Sequence, residues 1–336
     1  MSASPLQIEV LDSISRVTPE EWNALVPPDF VFADHRFLSS LEDSGCLGRR
    51  TGWHPLIVVA RLEGRLAGAL PLYAKTNSYG EFIFDWQWAQ AAESAGLEYY
   101  PKLVGAIPFT PATGPKFLIA TDTSTETSAT EAISSDGIRR SLLAAARTLV
   151  AEQNFSSLHL LFTTPDETRF LESSGSLVRH SFQFHWQRRP EWKTFADYLG
   201  SLRSKRRSEV RRERESVRAS GLSLELVTGE QLTREHSNLM FRFYRSTIAK
   251  MGGVPYLTEN FFKTITERMP ERILFVVARK PSGEAVAGAL NLFGGQSLFG
   301  RYWGCDDDYR HLHFEVCYYA AIEWALANGI ELFEAG

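Results

Sequence analysis

The window RYWGCDDDYRHLHFEVC, Arg301 to Cys317, gathers many side chains capable of chemistry. His311 and His313 stand two apart and Glu315 follows two later, so groups able to take a proton flank the start of a helical pattern. Placed beside an amine nucleophile, His313 or Glu315 is a general base. Arg301 follows a glycine on an aromatic strand-like run, where it could clamp a carboxylate or phosphate, stabilise an oxyanion, or simply stack on Trp303. Tyr302 and His311 join it as candidate substrate-binding residues. An HxHxE string without further His or Cys at useful spacing is a weak ligand pattern, so no metal is expected. The same His and Glu also fit packing or capping roles, and the residues alone leave both open.

A second set, Tyr79, Glu81, Asp85 and Lys102, is interleaved with Trp86, Trp88, Tyr99 and Tyr100. A few polar groups among aromatics are how apolar clefts orient a ligand, although a core strand with Tyr and Trp reads the same way. A third set is basic: eight Lys or Arg fall between Arg203 and Arg218, and Lys205, Arg206 and Arg207 lie in the acid-free string RSKRR. That end of a helix could dock a phosphate-bearing partner; equally, Glu209 paired with Arg206 or Arg212 would make it a solvated face. GxSxG, HExxH, P-loop and GxGxxG strings are absent, which removes the usual support for serine hydrolase, zincin and nucleotide-dependent chemistry.

These residues need a scaffold. The chain has 336 residues, 44% of them hydrophobic, enough for about two domains. A net charge of −4 gives no global attraction to nucleic acid or anionic membrane. Three Cys without CxxC spacing argue against a disulfide framework and point to a reducing compartment. The N-terminus lacks an export signal and no apolar run is long enough to span a bilayer, so a cytoplasmic location is expected.

HPLIVVARLEGRLAGALPLYAK reads as a hairpin turning at Glu63-Gly64, and RILFVVARKPSGEAVAGALNLFGG repeats it: Val58 to Arg61 matches Val276 to Arg279, and Leu66 to Leu70 matches Val286 to Leu290. A single long-period repeat implies two related domains rather than a solenoid. After each hairpin come an aromatic segment, a helix (138–153 and 314–328) and a strand. The first half adds an insertion rich in Gly, Pro and aromatics, and a polar loop at 121–136. In the last helix, Phe314, Cys317, Tyr318, Ala321, Ile322 and Ala325 form one stripe predicted to face a sheet, with Glu315, Tyr319 and Glu323 on the opposite flank.

Strand, two helices, hairpin, helix and strand, done twice, resembles tandem GNAT acyltransferase folds. More narrowly, the chain resembles the FemAB-like proteins of peptidoglycan biosynthesis or recognition, through SYGEFIFDWQWA, YYPKLVGAIPFTPATGP, QFHWQRR, SLRSKRRSEVRRERE and GRYWGCDDDYRHLHFEVCYYAAIEWALANGIELFEAG. The resemblance covers nearly the whole chain. It implies an α/β fold of mixed sheets: a first GNAT-like domain at 1–190, a basic helical connector at 191–221, and a second GNAT-like domain at 222–336. It also implies an acyl- or aminoacyltransferase acting on an amine of a peptide or cell-wall-precursor-like acceptor, with aminoacyl-tRNA or acyl-CoA as donor. Such a reading makes Glu315, His313 and Arg301 the catalytic candidates at the strand-to-helix cleft. Where CoA-using relatives carry a Gly-rich pyrophosphate loop, this chain reads CDDDYRHLH, which disfavours CoA in its standard mode. An N-acetyltransferase with a non-standard CoA site and a non-catalytic binding protein are the alternatives. Relatives continue beyond the final EAG strand, so a truncated second domain, or a sheet edge paired in an oligomer, is expected.

Overall fold

The computed structural model describes residues 6–120 and 134–336; most of the polar loop expected at 121–136 lies outside the described residues. The chain divides into two compact units, Met1–His180 and Ser181–Gly336.

The first unit contains β1 (Gln7–Leu11), α1 (Pro19–Asn23), α2 (His35–Asp43), β2 (Trp53–Pro55), β3 (Ile57–Leu62), β4 (Arg65–Leu70), β5 (Tyr73–Lys75), α3 (Trp86–Ser94), β6 (Lys102–Gly105), β7 (Leu118–Ile119), α4 (Ser135–Glu152), β8 (Leu158–Leu160) and α5 (Pro165–Ser173). Its strands form two four-stranded sheets, β1-β3-β4-β7 and β2-β5-β6-β8. The β3–β4 hairpin turns through Glu63 at φ 51° and Gly64 at φ 80°, the two positive dihedrals that a tight two-residue hairpin turn requires. Pro71 separates β4 from β5, and the chain passes there from one sheet to the other. β6 and β8 run parallel, with Leu103 opposite Leu158. Helix α4 buries Ile138, Leu142, Leu143 and Ala146 against Val58, Ala60, Ala67 and Leu70.

The second unit contains β9 (His185–Gln187), α6 (Phe195–Ser201), α7 (Ser204–Ala219), β10 (Ser223–Thr228), α8 (Arg234–Lys250), α9 (Glu259–Arg268), β11 (Ile273–Arg279), β12 (Ala285–Gly294), β13 (Ser297–Cys305), α10 (Leu312–Phe314), a π-helical turn at Glu315–Tyr319, α11 (Ala320–Ala327) and β14 (Leu332–Glu334). One mixed sheet runs β10-β11-β12-β13-β14-β9. The β13–β14 pair is parallel, like β6–β8 in the first unit. The two units are GNAT-like domains in tandem, each with its own hairpin and parallel strand pair.

Three expectations change. The edge of β14 is not open: β9 pairs with it antiparallel, His185 opposite Glu334, so β14 is flanked on both sides within the chain and the edge-pairing argument for an oligomer falls away. The segment 191–221 is not an isolated connector, since Phe195, Leu199, Val210 and Val217 enter the second unit's core. In the last helix Val316, Tyr319 and Ala320 are buried, Phe314 is 40% exposed, and Glu315 turns inward. The π-helical turn adds a residue to the helical repeat there and rotates the inward face, which a uniform 3.6-residue period does not anticipate.

Candidate active site

In the first unit the strand end of β5, the loop 76–85 and the start of β6 bring four charged groups into one buried cluster. Lys102 Nζ donates to Glu81 Oε2 at 2.8 Å and to Asp85 Oδ2 at 2.5 Å, and all three side chains are at most 2% exposed. Tyr99 OH donates to Asp85 Oδ2 at 2.7 Å, and Ser78 Oγ lies 3.4 Å from Lys102 Nζ and 2.5 Å from Tyr100 OH. Lys75 Nζ donates to the Thr51 and Tyr79 carbonyls at 3.2 and 3.1 Å and sits 4.2 Å above the Trp53 ring. Glu81 Oε1 and Asp85 Oδ1 are buried and have no hydrogen-bond partner.

Burial of four charges shifts their proton affinities apart. Burial raises the Glu81 carboxyl above its ordinary range, and the Lys102 charge and hydrogen bond only partly offset this. Burial acts upward on Asp85 too, but hydrogen bonds from Lys102, Ser78 and Tyr99 and the Lys102 charge outweigh it, leaving Asp85 below the usual carboxylate range. Burial brings Lys75 down to about 7. His159, hydrogen-bonded to Ser157 Oγ at 2.8 Å, falls to about 4 through burial and the Lys102 charge. Two carboxylates driven in opposite directions around one ammonium form an acid–base pair by environment.

Of the first-unit residues read from sequence, Glu81, Asp85 and Lys102 therefore meet. Tyr79 does not join them through its ring, which is 56% exposed and packs edge-on to Trp86 at 5.0 Å; its backbone carbonyl anchors Lys75 and Trp53 Nε1. Helix α3 buries none of its residues, and Phe84, Trp86 and Trp88 stand exposed on the chain that follows Glu81. Lys75 was missed in the sequence, because a lysine closing an apolar strand usually directs its ammonium to solvent; its place at the end of the buried run LPLYAK was the available signal.

The second-unit residues are arranged differently. Glu315, 4% exposed, holds Arg214 through both carboxylate oxygens, with Arg214 Nε at 3.0 and 3.1 Å, while the same guanidinium reaches Glu323 at 2.7 Å. A buried carboxylate with both oxygens on a half-buried guanidinium is not placed to take a substrate proton, which corrects the general-base expectation for Glu315. Arg301 is buried and its Nη1 lies 3.4 Å from Glu334, itself 3.5 Å from His185 Nε2; the anion clamp expected there is already occupied by a carboxylate of the chain. Tyr302 packs against Tyr244 and Phe262 in the interior, not in a cleft. His313 stands among the Trp303, Phe314 and Tyr318 rings with one side open to solvent, and partial desolvation of its imidazole lowers its pKa. His311 takes a left-handed conformation at φ 65° before α10. The three aspartates of the loop each face a base, Asp306 with Arg242, Asp307 with Lys280 and Asp308 with Lys250. Among the described residues no group of His, Cys, Asp or Glu is arranged to hold a metal ion.

The basic string divides. Lys205 is exposed, Arg207 donates to the Gly200 carbonyl at 3.5 Å, and Arg206, 45% exposed, reaches Glu209, Glu213 and the Tyr319 hydroxyl, which also donates to Glu213. Arg206 is therefore committed within the fold, against the expectation of a phosphate contact.

The sequence model of the FemAB-like family, described as peptidoglycan biosynthesis/recognition, matches residues 13–336. No curated protein matches the chain. Among solved structures, FemX superposes with a TM-score of 0.54 at 13% identity, covering 94% of this chain and 86% of that one. L-PGS from Bacillus licheniformis gives 0.52 at 11% identity over 94% of this chain and 74% of the other. A C-terminal domain of a putative lysylphosphatidylglycerol synthetase from Agrobacterium fabrum gives 0.52 at 9%, over 94% and 75%. At these identities the structures establish the shared fold.

Proposed function

From the premise that the chain belongs to the FemAB-like family, we propose that it is an aminoacyl- or acyltransferase acting on an amine of a peptide or peptidoglycan-precursor-like acceptor. The observation that carries this reading is the buried Lys102–Glu81–Asp85 cluster, in which hydrogen bonds and the Lys102 charge keep Asp85 below the ordinary carboxylate range while burial raises Glu81 above it. A carboxylate raised above the ordinary range accepts a proton more readily than one held below it, which favours Glu81 over Asp85 as base. Glu81 Oε1, buried without a partner, is the atom that would take the proton of the acceptor ammonium. The free amine then attacks the donor carbonyl: a C–N bond forms, the C–O bond of an aminoacyl ester or the C–S bond of an acyl thioester breaks, and the second amine proton passes to the departing oxygen or sulfur, while the first stays on Glu81 until it is released to solvent. The Lys102 ammonium donates to both carboxylates, and Asp85 is itself held by the Tyr99 hydroxyl.

FemX and the lysylphosphatidylglycerol synthetase domains, matched across most of their length, support a donor of the aminoacyl type. So does the loop before α10, where three carboxylates stand in place of a pyrophosphate cradle. We place the protein in the cytoplasm, where charged tRNA and precursors coexist; no helix of the described residues is long and apolar enough to cross a membrane. Lys205 remains the residue of the RSKRR string proposed to meet a donor phosphate. The test is incubation of the whole chain with a muropeptide precursor and either aminoacyl-tRNA or acetyl-CoA, followed by mass spectrometry of the acceptor. An aminoacyl mass increment is expected with the first donor; an acetyl increment would transfer the reading to the acyl-CoA alternative, and no increment with either would favour a binding protein.

A further inference from the structure

At the outer edge of the second unit's sheet, β9 leads into a turn that folds back on itself, with Trp192 N–H donating to the Arg189 carbonyl at 3.0 Å. The turn borders an open surface depression of about 400 Å³ lined by His185, Trp186, Arg188, Arg189 and Trp192 among others. The Trp186 and Trp192 rings stack at 5.9 Å and 28°, and Tyr198 meets both edge-on. Arg189 lies over the Trp192 ring at 5.1 Å. Trp192 is only 7% exposed, and the indole Nε1–H groups of Trp186 and Trp192 are both buried with no acceptor.

Two features here lack a counterpart within the fold. An indole nitrogen can only donate, so a buried one without an acceptor is an unmet cost at each tryptophan. Neither Arg188, half-buried, nor Arg189, exposed, has an acidic partner among the described residues, so two guanidinium groups bordering the depression are available to an anion. His185 differs, since Glu334 lies 3.5 Å from it. Both deficits are met by one class of ligand, a group with several acceptor oxygens and a negative charge.

We propose that this turn is an oxyanion-binding site, taking a phosphate or carboxylate group between the Arg188 and Arg189 guanidinium groups and the two indole N–H donors. Guanidinium forks suit either group, and the two indole N–H groups are donors still without an acceptor. The site belongs wholly to the second unit and shares no residue with the Lys102 cluster, so it holds whether or not the transferase reading does.

The test is the pair of indole N–H resonances of Trp186 and Trp192, followed in the full-length protein by nitrogen–proton correlation spectra. Inorganic phosphate and acetate are titrated separately against chloride at matched ionic strength. Assignment comes from Trp186→Phe and Trp192→Phe, each of which keeps a ring and deletes one resonance. Both resonances are expected to move downfield with one of the two anions, phosphate marking a phosphate site and acetate a carboxylate site. The double variant Arg188→Gln/Arg189→Gln, at surface positions, is expected to weaken that response about tenfold or more. Indole resonances that stay in place with both anions would overturn the proposal. So would shifts that persist unchanged in the double-arginine variant, because the anion would then be binding elsewhere.

Discussion

Arg61 and Arg279 make the same three contacts in two different units. Arg61 pairs with Glu9 on β1 at 3.7 Å, with Glu21 in α1 at 3.1 Å, and donates to the Gly64 carbonyl at 3.1 Å. Arg279 pairs with Glu225 on β10 at 2.7 Å, with Glu235 in α8 at 3.4 Å, and donates to the Gly283 carbonyl at 3.1 Å. Both sit at a register shift in their hairpin, between Ala60 and Arg61 and between Ala278 and Arg279. Gln7 opposes the first and Ser223 the second, each two residues before the paired glutamate. The repeated VVAR string thus reflects a repeated device that ties edge strand, first helix and hairpin turn together.

This equivalence predicts equivalent losses. Arg61→Ala and Arg279→Ala should each cost about 1–2 kcal/mol, since each arginine is mostly buried and carries charge-assisted hydrogen bonds. Hydrogen exchange should show the loss confined to the variant's own hairpin. Spreading of either effect into the other unit's hairpin would contradict the duplication of local function.

The Arg214–Glu315 pair should behave as structure. Arg214→Ala leaves a buried carboxylate uncompensated and should destabilise by about 3–5 kcal/mol in denaturant titration. Glu315→Gln should lower the melting temperature while the folded fraction keeps its specific activity. A stable Glu315→Gln protein without activity would restore Glu315 as a base.

How much of this the sequence disclosed depends on the range of the interaction concerned. The two hairpins, the Glu63-Gly64 turn and the helices around 138–153 and 195–220 are set by local alternation and punctuation, and the structure carries them. Glu81, Asp85 and Lys102 could be named as a set because acids and a lysine inside an aromatic run are unusual. Their contact across 17 to 21 residues of chain, and the part played by Lys75, depend on where β5 and β6 pair. Glu315 was misread because the π-helical turn shifts the phase of the helix, and Arg214 lies 101 residues away, beyond any local pattern. Strand β9 pairs next to the chain's last strand, so the edge that looked open from sequence order is covered by a segment that precedes it.

Lys75 should give stability a distinct pH dependence. Its folded pKa is about 7 against an ordinary 10.5, so between those values the unfolded chain binds more protons and stability rises with pH. Falling pH through this window removes that contribution. Lys75→Met should flatten the slope of unfolding free energy between pH 7 and 10.5. An unchanged slope would show that the lysine is charged in the folded protein.

The basic string should separate into two behaviours. Lys205→Ala should leave stability unchanged and, if donor tRNA is bound there, reduce the salt dependence of binding by nearly one unit for a lost phosphate contact. Arg206→Ala should instead destabilise, because Glu213 and Tyr319 lose their partner. Equal effects of both on salt dependence, with no loss of stability, would make Arg206 a phosphate contact rather than a partner of Glu213 and Tyr319.

The central claim is that the first unit's carboxylate pair performs transfer with Glu81 as base. Its most direct measurement is the single-turnover rate of acceptor aminoacylation in the wild type and in Glu81→Gln, with folding of the variant verified by circular dichroism. A fall of about 10²–10⁴-fold in the variant, without loss of the folded signal, is the predicted result. A folded Glu81→Gln protein that transfers at the wild-type rate would contradict the account.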